Sequence, residues 1–142
     1  MSVRFNSLGD KLLCLCRREP PKIFPLYKSI PTLLYAKGYS NACTMKSCCF
    51  AGSNDEYAIS GSDDHNIYVW KIPALSPEIP DDCILPLMVY VPHMVLRGHR
   101  SVVNHVRYNP NIGCLASCGV EKMVKVRTFS FCIIYYPHHL FI

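Results

Sequence analysis

The feature that most constrains the fold of this sequence is a unit that occurs twice. An apolar segment, a tight polar turn and an alternating strand follow one another over residues 57–71, and the same order returns over residues 115–126. Ser60 of the earlier copy corresponds to Ser117 of the later copy, and the turn and strand that follow keep the same offset. Alternating β-branched and aromatic residues after a polar turn are typical of a β-hairpin. The sequence therefore predicts two related hairpins.

Further elements precede each hairpin and complete a larger repeat. The segments 44–50 and 102–108 have the composition of strands, and the pair Gly98-His99 stands before the second of them. A Gly-His pair, a strand and a hairpin that ends in a tryptophan, here Trp70, form the layout of a WD repeat of about 40–45 residues. We therefore predict an all-β fold, a partial WD-repeat β-propeller.

A weaker copy of the unit lies at the beginning of the sequence. Residues 3–6 resemble residues 106–109, and residues 12–16 and 22–24 can form the next two strands, with Phe24 in the place of the tryptophan. A propeller has about four to eight blades when it closes. The two or three blades predicted here are therefore incomplete and not expected to close, and we expect the chain to be a fragment of a longer propeller.

These units divide the sequence into five segments. Five prolines between the second and third copies predict a surface loop there. The predicted segments are a degenerate blade over 1–39, a WD-repeat blade over 40–72, a Pro-rich inter-blade loop over 73–93, a WD-repeat blade that lacks its terminal tryptophan over 94–127, and an apolar non-repeat tail over 128–142.

The cysteines and the charge indicate the class of protein but not its ligand. Nine cysteines, an odd number without a secretory signal, argue against a disulfide framework, and no Cys-x-x-Cys spacing for zinc or redox chemistry occurs. Reduced thiols predict a cytoplasmic or nuclear location. The formal net charge of +5 is scattered along the chain rather than concentrated in a stripe, so we expect no nucleic-acid partner.

No membrane anchor is predicted. The apolar stretch 129–142 contains 14 residues, and a helix that crosses a bilayer needs about 20. The short apolar run 12–16 near the beginning follows Asp10 and Lys11 and does not have the pattern of a signal peptide.

The predicted site residues are structural residues of the blades. In a complete WD blade, a histidine, a serine or threonine, a turn aspartate and a tryptophan form a hydrogen-bonded set, because a buried indole N–H and a turn carboxylate each require a partner. The second blade supplies Ser60, Asp64 and Trp70, and we expect Asn41 or Ser40 in place of the histidine.

The third blade supplies a different part of the same set. Gly98, His99 and Ser117 are present, Glu121 replaces the aspartate, and Arg127 stands where the tryptophan belongs. Neither set is complete, so we expect both blades to be less rigid than an ideal blade.

Nothing in the sequence predicts an enzyme, a cofactor or a metal. The combination of His99, Ser117 and Asp64 contains the residue types of a hydrolytic triad, but the Gly-His context favours a structural histidine. The spacing of His93, His99 and His105 does not suit a metal site. We therefore predict no catalytic, cofactor-binding or metal-ligating residue. A zinc or thiol enzyme built on the cysteines is the rival from another class.

Several segments resemble one WD-repeat family, the cullin-4-associated WD-repeat factors. The resemblance lies in residues 2–9, 43–52, 60–64, 98–104 and 117–122, and the segment 43–52 is the most discriminating of these. It implies a substrate receptor of a cullin-4 RING ubiquitin ligase, which docks on the ligase adaptor and presents substrate proteins without performing chemistry. Further copies of this chain are not expected as partners.

One departure from the family bears on the adaptor. Many of these receptors contact it through Trp-Asp-x-Arg at the end of a blade, whereas Trp70 is followed by Lys71 here and Arg127 has no preceding tryptophan. The alternatives are a WD-repeat interaction module of another assembly and an inert truncated product.

Overall fold

The structure, a computed structural model, describes residues 1–27, 30–74 and 85–128, and in these ranges the chain forms strands and no helix. The strands are β1 (Ser2–Phe5), β2 (Lys11–Leu15), β3 (Lys22–Pro25), β4 (Thr32–Leu34), β5 (Cys48–Ala51), β6 (Tyr57–Gly61), β7 (Ile67–Lys71), β8 (Leu87–Val89), β9 (Met94–Leu96), β10 (Val103–Asn109), β11 (Cys114–Gly119) and β12 (Val124–Thr128). The prediction of an all-β fold is confirmed. A helix that could cross a membrane is not found within the described ranges.

The strands form three separate sheets, which we call blades 1, 2 and 3. Blade 1 has the order β1-β2-β3-β4-β8, blade 2 has β5-β6-β7-β9, and blade 3 has β10-β11-β12. Successive strands pair antiparallel except for β8, which pairs parallel with β4. Strands β1–β4 of blade 1 and the strands of blades 2 and 3 form antiparallel meanders, as expected of a propeller, and the three sheets do not join into one closed sheet.

Blade 2 lies between the other two blades and buries both of its faces. Its strands alternate strictly, so successive side chains enter different cores. The core toward blade 1 contains Leu13, Leu15, Ile23, Leu34, Cys48, Phe50, Ala58, Tyr68 and Trp70. The core toward blade 3 contains Cys49, Ala51, Tyr57, Ile59, Ile67, Val69, Val103, Val106 and Leu115. This double burial explains why the repeat is most regular in blade 2.

The outward faces of blades 1 and 3 are less covered. Val3 and Phe5 of blade 1 and Val124 and Val126 of blade 3 are exposed. In blade 1, Phe24 pairs with Leu12 in the register that Trp70 and Ala58 have in blade 2, as the sequence predicts. Phe24 is only half-buried because it lies on the face that points away from blade 2.

Part of the predicted inter-blade loop is a strand. The prediction of a loop over 73–93 is wrong at residues 87–89, because β8 pairs with the outer strand of blade 1. The strand β9, at the start of the segment predicted as the third blade, pairs with β7 and therefore belongs to the sheet of blade 2. Residues 75–84 of the predicted loop and 129–142 of the predicted tail lie outside the described residues.

Candidate protein-binding site

The predicted residues of blade 3 come together around the His99 side chain. Nε2 of the ring lies 2.8 Å from Oγ of Ser117, and Nδ1 contacts the Glu121 carboxylate. The same carboxylate accepts a hydrogen bond from the backbone N–H of Arg100 at 3.2 Å. Gly98 precedes the histidine with a φ of 125°, a conformation that favours glycine. These four predicted residues thus fasten the loop before β10 to the turn after β11.

Burial and charge set the protonation of this set. Burial lowers the pKa of His99, although the hydrogen bond that its ring donates to the Glu121 carboxylate opposes the effect. Burial alone would raise the pKa of Glu121, but hydrogen bonds from Lys125, from the Arg100 backbone and from His99 lower it to about 2. The structure therefore favours a neutral imidazole beside an ionised carboxylate.

The side chains of Ser117, His99 and Glu121 contact one another in the order of a hydrolytic triad. Ser117 and His99 are buried, however, as residues of a structural contact are. Ser117 is 2% exposed and His99 is 8% exposed, and a nucleophile must be reachable by its substrate. Neither residue lines the cavity beside Arg4 and Arg107 or the small one beside Asn41 and Lys46. The arrangement can hold the blade together and offers no place for a substrate.

In blade 2 the place of the histidine is taken by Tyr39. Its hydroxyl lies 3.2 Å from Oγ of Ser60, and its ring meets Trp70 edge-on at a centroid distance of 5.3 Å. Gly38, with a φ of 93°, precedes Tyr39 as Gly98 precedes His99 in blade 3. The Trp70 indole N–H donates at 2.8 Å to the carbonyl oxygen of Tyr35.

The prediction of Asn41 or Ser40 at the histidine position is wrong. Tyr39 precedes Ser60 by 21 residues, whereas His99 precedes its serine by 18. This longer loop moves the aligned residue away from the serine. A Gly-Tyr pair before a strand was the signal in the sequence that could have identified the substitution.

Asn41 has another structural task. It is buried, and its side-chain amide donates to the carbonyl oxygens of Cys16 at 2.9 Å and Glu19 at 3.0 Å. Its side-chain oxygen accepts a hydrogen bond from the backbone N–H of Arg18 at 2.7 Å. Asn41 therefore fastens the loop before β5 to the β2–β3 turn of blade 1.

Asp63, which the sequence reasoning did not select, holds the same loop from the other side. Its carboxylate accepts hydrogen bonds from the backbone N–H of Ala42 at 2.6 Å and of Cys43 at 3.0 Å, and from the Ser40 hydroxyl at 2.9 Å. Burial alone would raise the pKa of Asp63, but the hydrogen bonds from Lys46, Cys43 and Ser40 lower it to about 2. Asp63 thus performs in blade 2 the loop-binding role that Glu121 performs in blade 3.

Asp64, the aspartate that the sequence selected, lies apart from the Ser60 and Trp70 contacts. Its carboxylate accepts a hydrogen bond from the Tyr68 hydroxyl at 2.7 Å and from the Asn66 side chain at 2.8 Å. Burial and this bond raise the pKa of Tyr68 to about 12. Asp64 therefore stabilises its own turn rather than the loop before β5.

Lys46 connects this network to blade 3. Its side chain is 0% exposed, and its ammonium group lies 2.5 Å from Oδ1 of Asp63. It also donates to Oγ1 of Thr44 at 2.8 Å and to Oδ1 of Asn104 on β10 at 3.4 Å. A buried lysine is stable only when its charge is paired and its donors are satisfied, as they are here.

A concave surface lies where the innermost strands β1, β5 and β10 approach one another. Its volume is about 200 Å³. The lining residues are Arg4, Phe5, Cys49, Phe50, Asp55, Arg107, Tyr108 and Pro110. This concave surface is the candidate binding site.

The described residues contain no group of three or more histidine, cysteine, aspartate or glutamate side chains that could hold a metal ion.

Comparison with known families gives a match over more than half of the chain. The profile described as "WD domain, G-beta repeat" matches residues 34–71 and 90–127. The first matched unit begins at the last residue of β4 in blade 1 and continues through β5, β6 and β7 of blade 2. The second begins shortly before β9 of blade 2 and continues through the three strands of blade 3. The sequence repeat therefore straddles two sheets, which explains why β9 pairs with the blade before it.

Several curated proteins have similar sequences, and the names of some of them contain the words WD repeat. Over 127 residues, the chain is 51% identical to "DDB1- and CUL4-associated factor 5" of Mus musculus and 50% identical to the protein of that name in Homo sapiens. Each match covers 89% of this chain and 13% of the relative, so the chain spans a small part of these relatives. "WD repeat protein iqw1" of Schizosaccharomyces pombe is 26% identical over 121 residues, covering 83% of this chain and 13% of that protein.

Solved structures with the same fold include a humanized mutant of the Chaetomium thermophilum Polycomb Repressive Complex 2 bound to the inhibitor GSK126. The TM-score is 0.68 at 20% identity, over 89% of this chain and 28% of that chain. The computationally designed Ika4 protein has a TM-score of 0.58 at 18% identity, over 90% of this chain and 64% of that chain. At these identities the likeness concerns the fold alone, and with the profile match it confirms the predicted partial propeller.

Proposed function

Because this chain belongs to the WD domain, G-beta repeat family, we propose that it is a protein-binding scaffold that forms part of a substrate receptor of a cullin-4 RING ubiquitin ligase. The observation that carries this role is the identity of 50–51% over 127 residues with DDB1- and CUL4-associated factor 5. The name of that protein associates it with DDB1 and CUL4. The proposed partners of this chain are therefore the ligase adaptor and substrate proteins.

In this role the chain performs no chemistry of its own. The burial of Ser117 and His99 supports a structural set rather than a catalytic one. The chain acts by presenting surfaces, and the transfer of ubiquitin takes place on other subunits.

The proposed location is the cytoplasm or the nucleus. The cysteines that the structure describes support it, since all of them are free thiols: Cys14, Cys16, Cys43, Cys48, Cys49, Cys114 and Cys118. Burial raises the pKa of Cys49 to about 12, which keeps this thiol protonated and unreactive.

The end of β7 favours a second candidate, a WD-repeat interaction module of another assembly. Trp70 is fully buried and is followed by the exposed Lys71, where many cullin-4 receptors have the aspartate of Trp-Asp-x-Arg. In blade 3 the corresponding place is Arg127, which pairs with Leu115. If the chain serves the ligase, its adaptor contact uses a surface other than these two blade ends.

A chimaeric receptor tests the ligase role. The 127-residue segment of the mouse relative that matches this chain is replaced by the corresponding residues of this chain, and co-purification with DDB1 and CUL4 is measured. We expect recovery of both proteins to remain close to that of the unaltered relative. Loss of DDB1 from a chimaera that still unfolds cooperatively would show that these blades serve another assembly.

A matched control separates folding from binding. The same chimaera carrying Trp70→Ala loses the aromatic residue that joins blades 1 and 2, so it is expected to lose both cooperative unfolding and DDB1. The chimaera carrying Lys71→Ala changes an exposed residue beside it and is expected to retain both.

A further inference from the structure

The candidate binding site contains two arginines at corresponding places in two blades. Arg4 lies on β1 and Arg107 lies on β10, each within a Val-Arg-aromatic-Asn sequence. Each guanidinium donates one hydrogen bond to the backbone carbonyl of the preceding valine, at 3.0 Å for Arg4 and 2.9 Å for Arg107. The two side chains are held in the same way on either side of β5, and both line one cavity.

Neither guanidinium is neutralised within the described part of the chain. No carboxylate there forms an ion pair with Arg4 or Arg107, and both side chains are exposed. Asp55, the one acidic residue of the lining, accepts hydrogen bonds from the backbone N–H and the hydroxyl of Ser7 instead. The cavity therefore keeps a net positive charge and several unused N–H donors.

Apart from the two arginines and Asp55, the lining of the cavity is largely apolar. Phe5, Phe50, Tyr108 and Cys49 are among its other lining residues. Both guanidinium groups are exposed, so solvent screens their charge and the geometry of their donors matters more than the charge alone. A guanidinium also offers the paired donors that match the two oxygens of a carboxylate.

The size of the cavity restricts the ligand. Its volume of about 200 Å³ is smaller than the roughly 300–1,000 Å³ of a site that encloses a small molecule. This volume matches that of one amino-acid side chain. A cationic side chain is excluded by the two arginines.

We propose that the cavity between β1, β5 and β10 binds the carboxylate of an aspartate or glutamate in an acidic segment of a protein partner, with Arg4 and Arg107 as the residues that bind it. The assignment rests on the proposed function as a protein-binding scaffold and specifies what kind of segment that scaffold takes. It does not depend on which assembly the partner belongs to.

A peptide-binding measurement tests this site. A fluorescein-labelled hexaglutamate peptide with Gly-Ser flanks is titrated with the 142-residue chain, and anisotropy is recorded. We expect saturable binding that a peptide with glutamine in place of glutamate does not show. Arg4→Gln and Arg107→Gln are each expected to weaken binding by about tenfold, as removal of a charge-assisted hydrogen-bonding partner does.

The control variant is Arg97→Gln, which removes an exposed arginine outside the cavity lining and is expected to change binding by less than about twofold. Arg107→Lys keeps the charge but loses the paired donors, so its binding is expected to lie between those of the wild type and Arg107→Gln. Far-ultraviolet circular dichroism verifies the fold of each variant. Because the glutamate and glutamine peptides are compared on the wild type, the result does not require that every variant folds.

Three outcomes would overturn the proposal. They are equal binding of the two peptides, equal loss of binding in Arg97→Gln and Arg107→Gln, and displacement of the glutamate peptide by millimolar inorganic phosphate or by an oligothymidine of the same charge. Equal binding of the two peptides, or equal loss of binding in the two variants, would mean that the cavity does not bind a carboxylate. Displacement by phosphate or by the oligothymidine would mean that the cavity binds phosphates. Failure of the chimaeric receptor to retain DDB1 would leave the peptide result unaffected, so the two proposals fail separately.

Discussion

The hydroxyl of Tyr39 lies 3.2 Å from the hydroxyl oxygen of Ser60 and makes, in blade 2, the contact that His99 makes with Ser117 in blade 3 at 2.8 Å. Both contacts fasten the loop before the innermost strand to the second strand of the same blade. They differ in how they respond to pH. An imidazole titrates near neutral pH, whereas burial raises the pKa of Tyr39 above its usual value and keeps the phenol neutral. Blade 2 therefore keeps this contact over a wider pH range than blade 3.

Replacement of the buried tryptophan should destabilise the central blade most. Trp70→Ala removes an indole that is 0% exposed and leaves the Tyr35 carbonyl without its donor. We expect a loss of about 3–5 kcal/mol in the free energy of unfolding, measured by circular dichroism in urea because Trp70 is the chain's one tryptophan. Leu85→Ala, at a side chain that is 76% exposed in the segment between the blades, should cost less than about 0.5 kcal/mol. Equal sensitivity of the two variants would contradict the assigned core.

The two neighbouring aspartates should differ in their contribution to stability. Asp63→Ala leaves the buried ammonium group of Lys46 unpaired and should cost about 3 kcal/mol. Asp64→Ala removes hydrogen bonds at an exposed turn and should cost about 1 kcal/mol. Urea unfolding of both variants measures the difference. The double variant Lys46→Met with Asp63→Ala should recover part of the loss, and a larger effect at Asp64 would contradict the network.

Acid should unfold the chain through its paired carboxylates. The pKa values of Asp63 and Glu121 are lowered to about 2 from 3.8 and 4.5, so the unfolded chain binds more protons between these values. The stability that the two groups contribute is therefore present above pH 4.5 and is lost as the pH falls toward 2. The lowered pKa of His99 adds a loss that begins below its ordinary value of 6.5.

The measurement is the urea midpoint as a function of pH. Glu121→Gln should flatten the acid limb of this curve, since it removes one of the titrating groups. Glu19→Gln, at an exposed ion pair with Lys22, should leave the limb unchanged. If the urea midpoint falls equally steeply with acid in both variants, the protonation of Glu121 does not contribute to acid unfolding.

The isolated chain should associate with itself through its outward blade faces. Val124 is 69% and Val126 57% exposed on one face of β12, and uncovered blade faces are a source of aggregation in repeat proteins. We expect concentration-dependent light scattering from the wild type and less scattering from the double variant Val124→Lys with Val126→Lys. A sharp monomeric elution peak and cooperative thermal unfolding of the wild type would contradict this prediction.

Purified protein should hold no specific zinc. The described residues contain no group of three or more histidine, cysteine, aspartate or glutamate side chains that could hold a metal, and burial raises the pKa of both Cys48 and Cys49, which disfavours the thiolate that zinc requires. Elemental analysis after dialysis should give far less than one zinc per chain. A stoichiometric amount would revive a cysteine-based site.

The sequence predicted the strands of the regular blades because their signals are local. The alternation in 67–70 and the polar turn before it define a hairpin without reference to the rest of the chain. The contacts of His99 with Ser117 and Glu121 were likewise predicted, since a Gly-His pair and a repeat offset identify all three residues.

The contacts that could not be predicted depend on the path of a loop. Three extra residues between Tyr39 and Ser60, compared with the next blade, break the offset on which the alignment relied. The choice between Asp63 and Asp64 then depends on which carboxylate reaches the backbone of that loop, and both occupy a plausible turn position. The cavity with Arg4 and Arg107 is formed by residues more than a hundred positions apart, so no local pattern indicates it.

The parallel pairing of β8 with β4 has a consequence for the order in which the chain folds. Thr32 pairs with Leu87, 55 positions further along, whereas the hairpins of blade 2 join residues that are about ten positions apart. Contacts between distant residues form slowly because a long loop must first be closed. During synthesis blade 1 waits for its outermost strand, β8, until the first three strands of blade 2 have been made. The outer edge of blade 1 is therefore completed late. Until β8 pairs with it, the backbone of β4 is an open sheet edge on which a strand of another chain can pair.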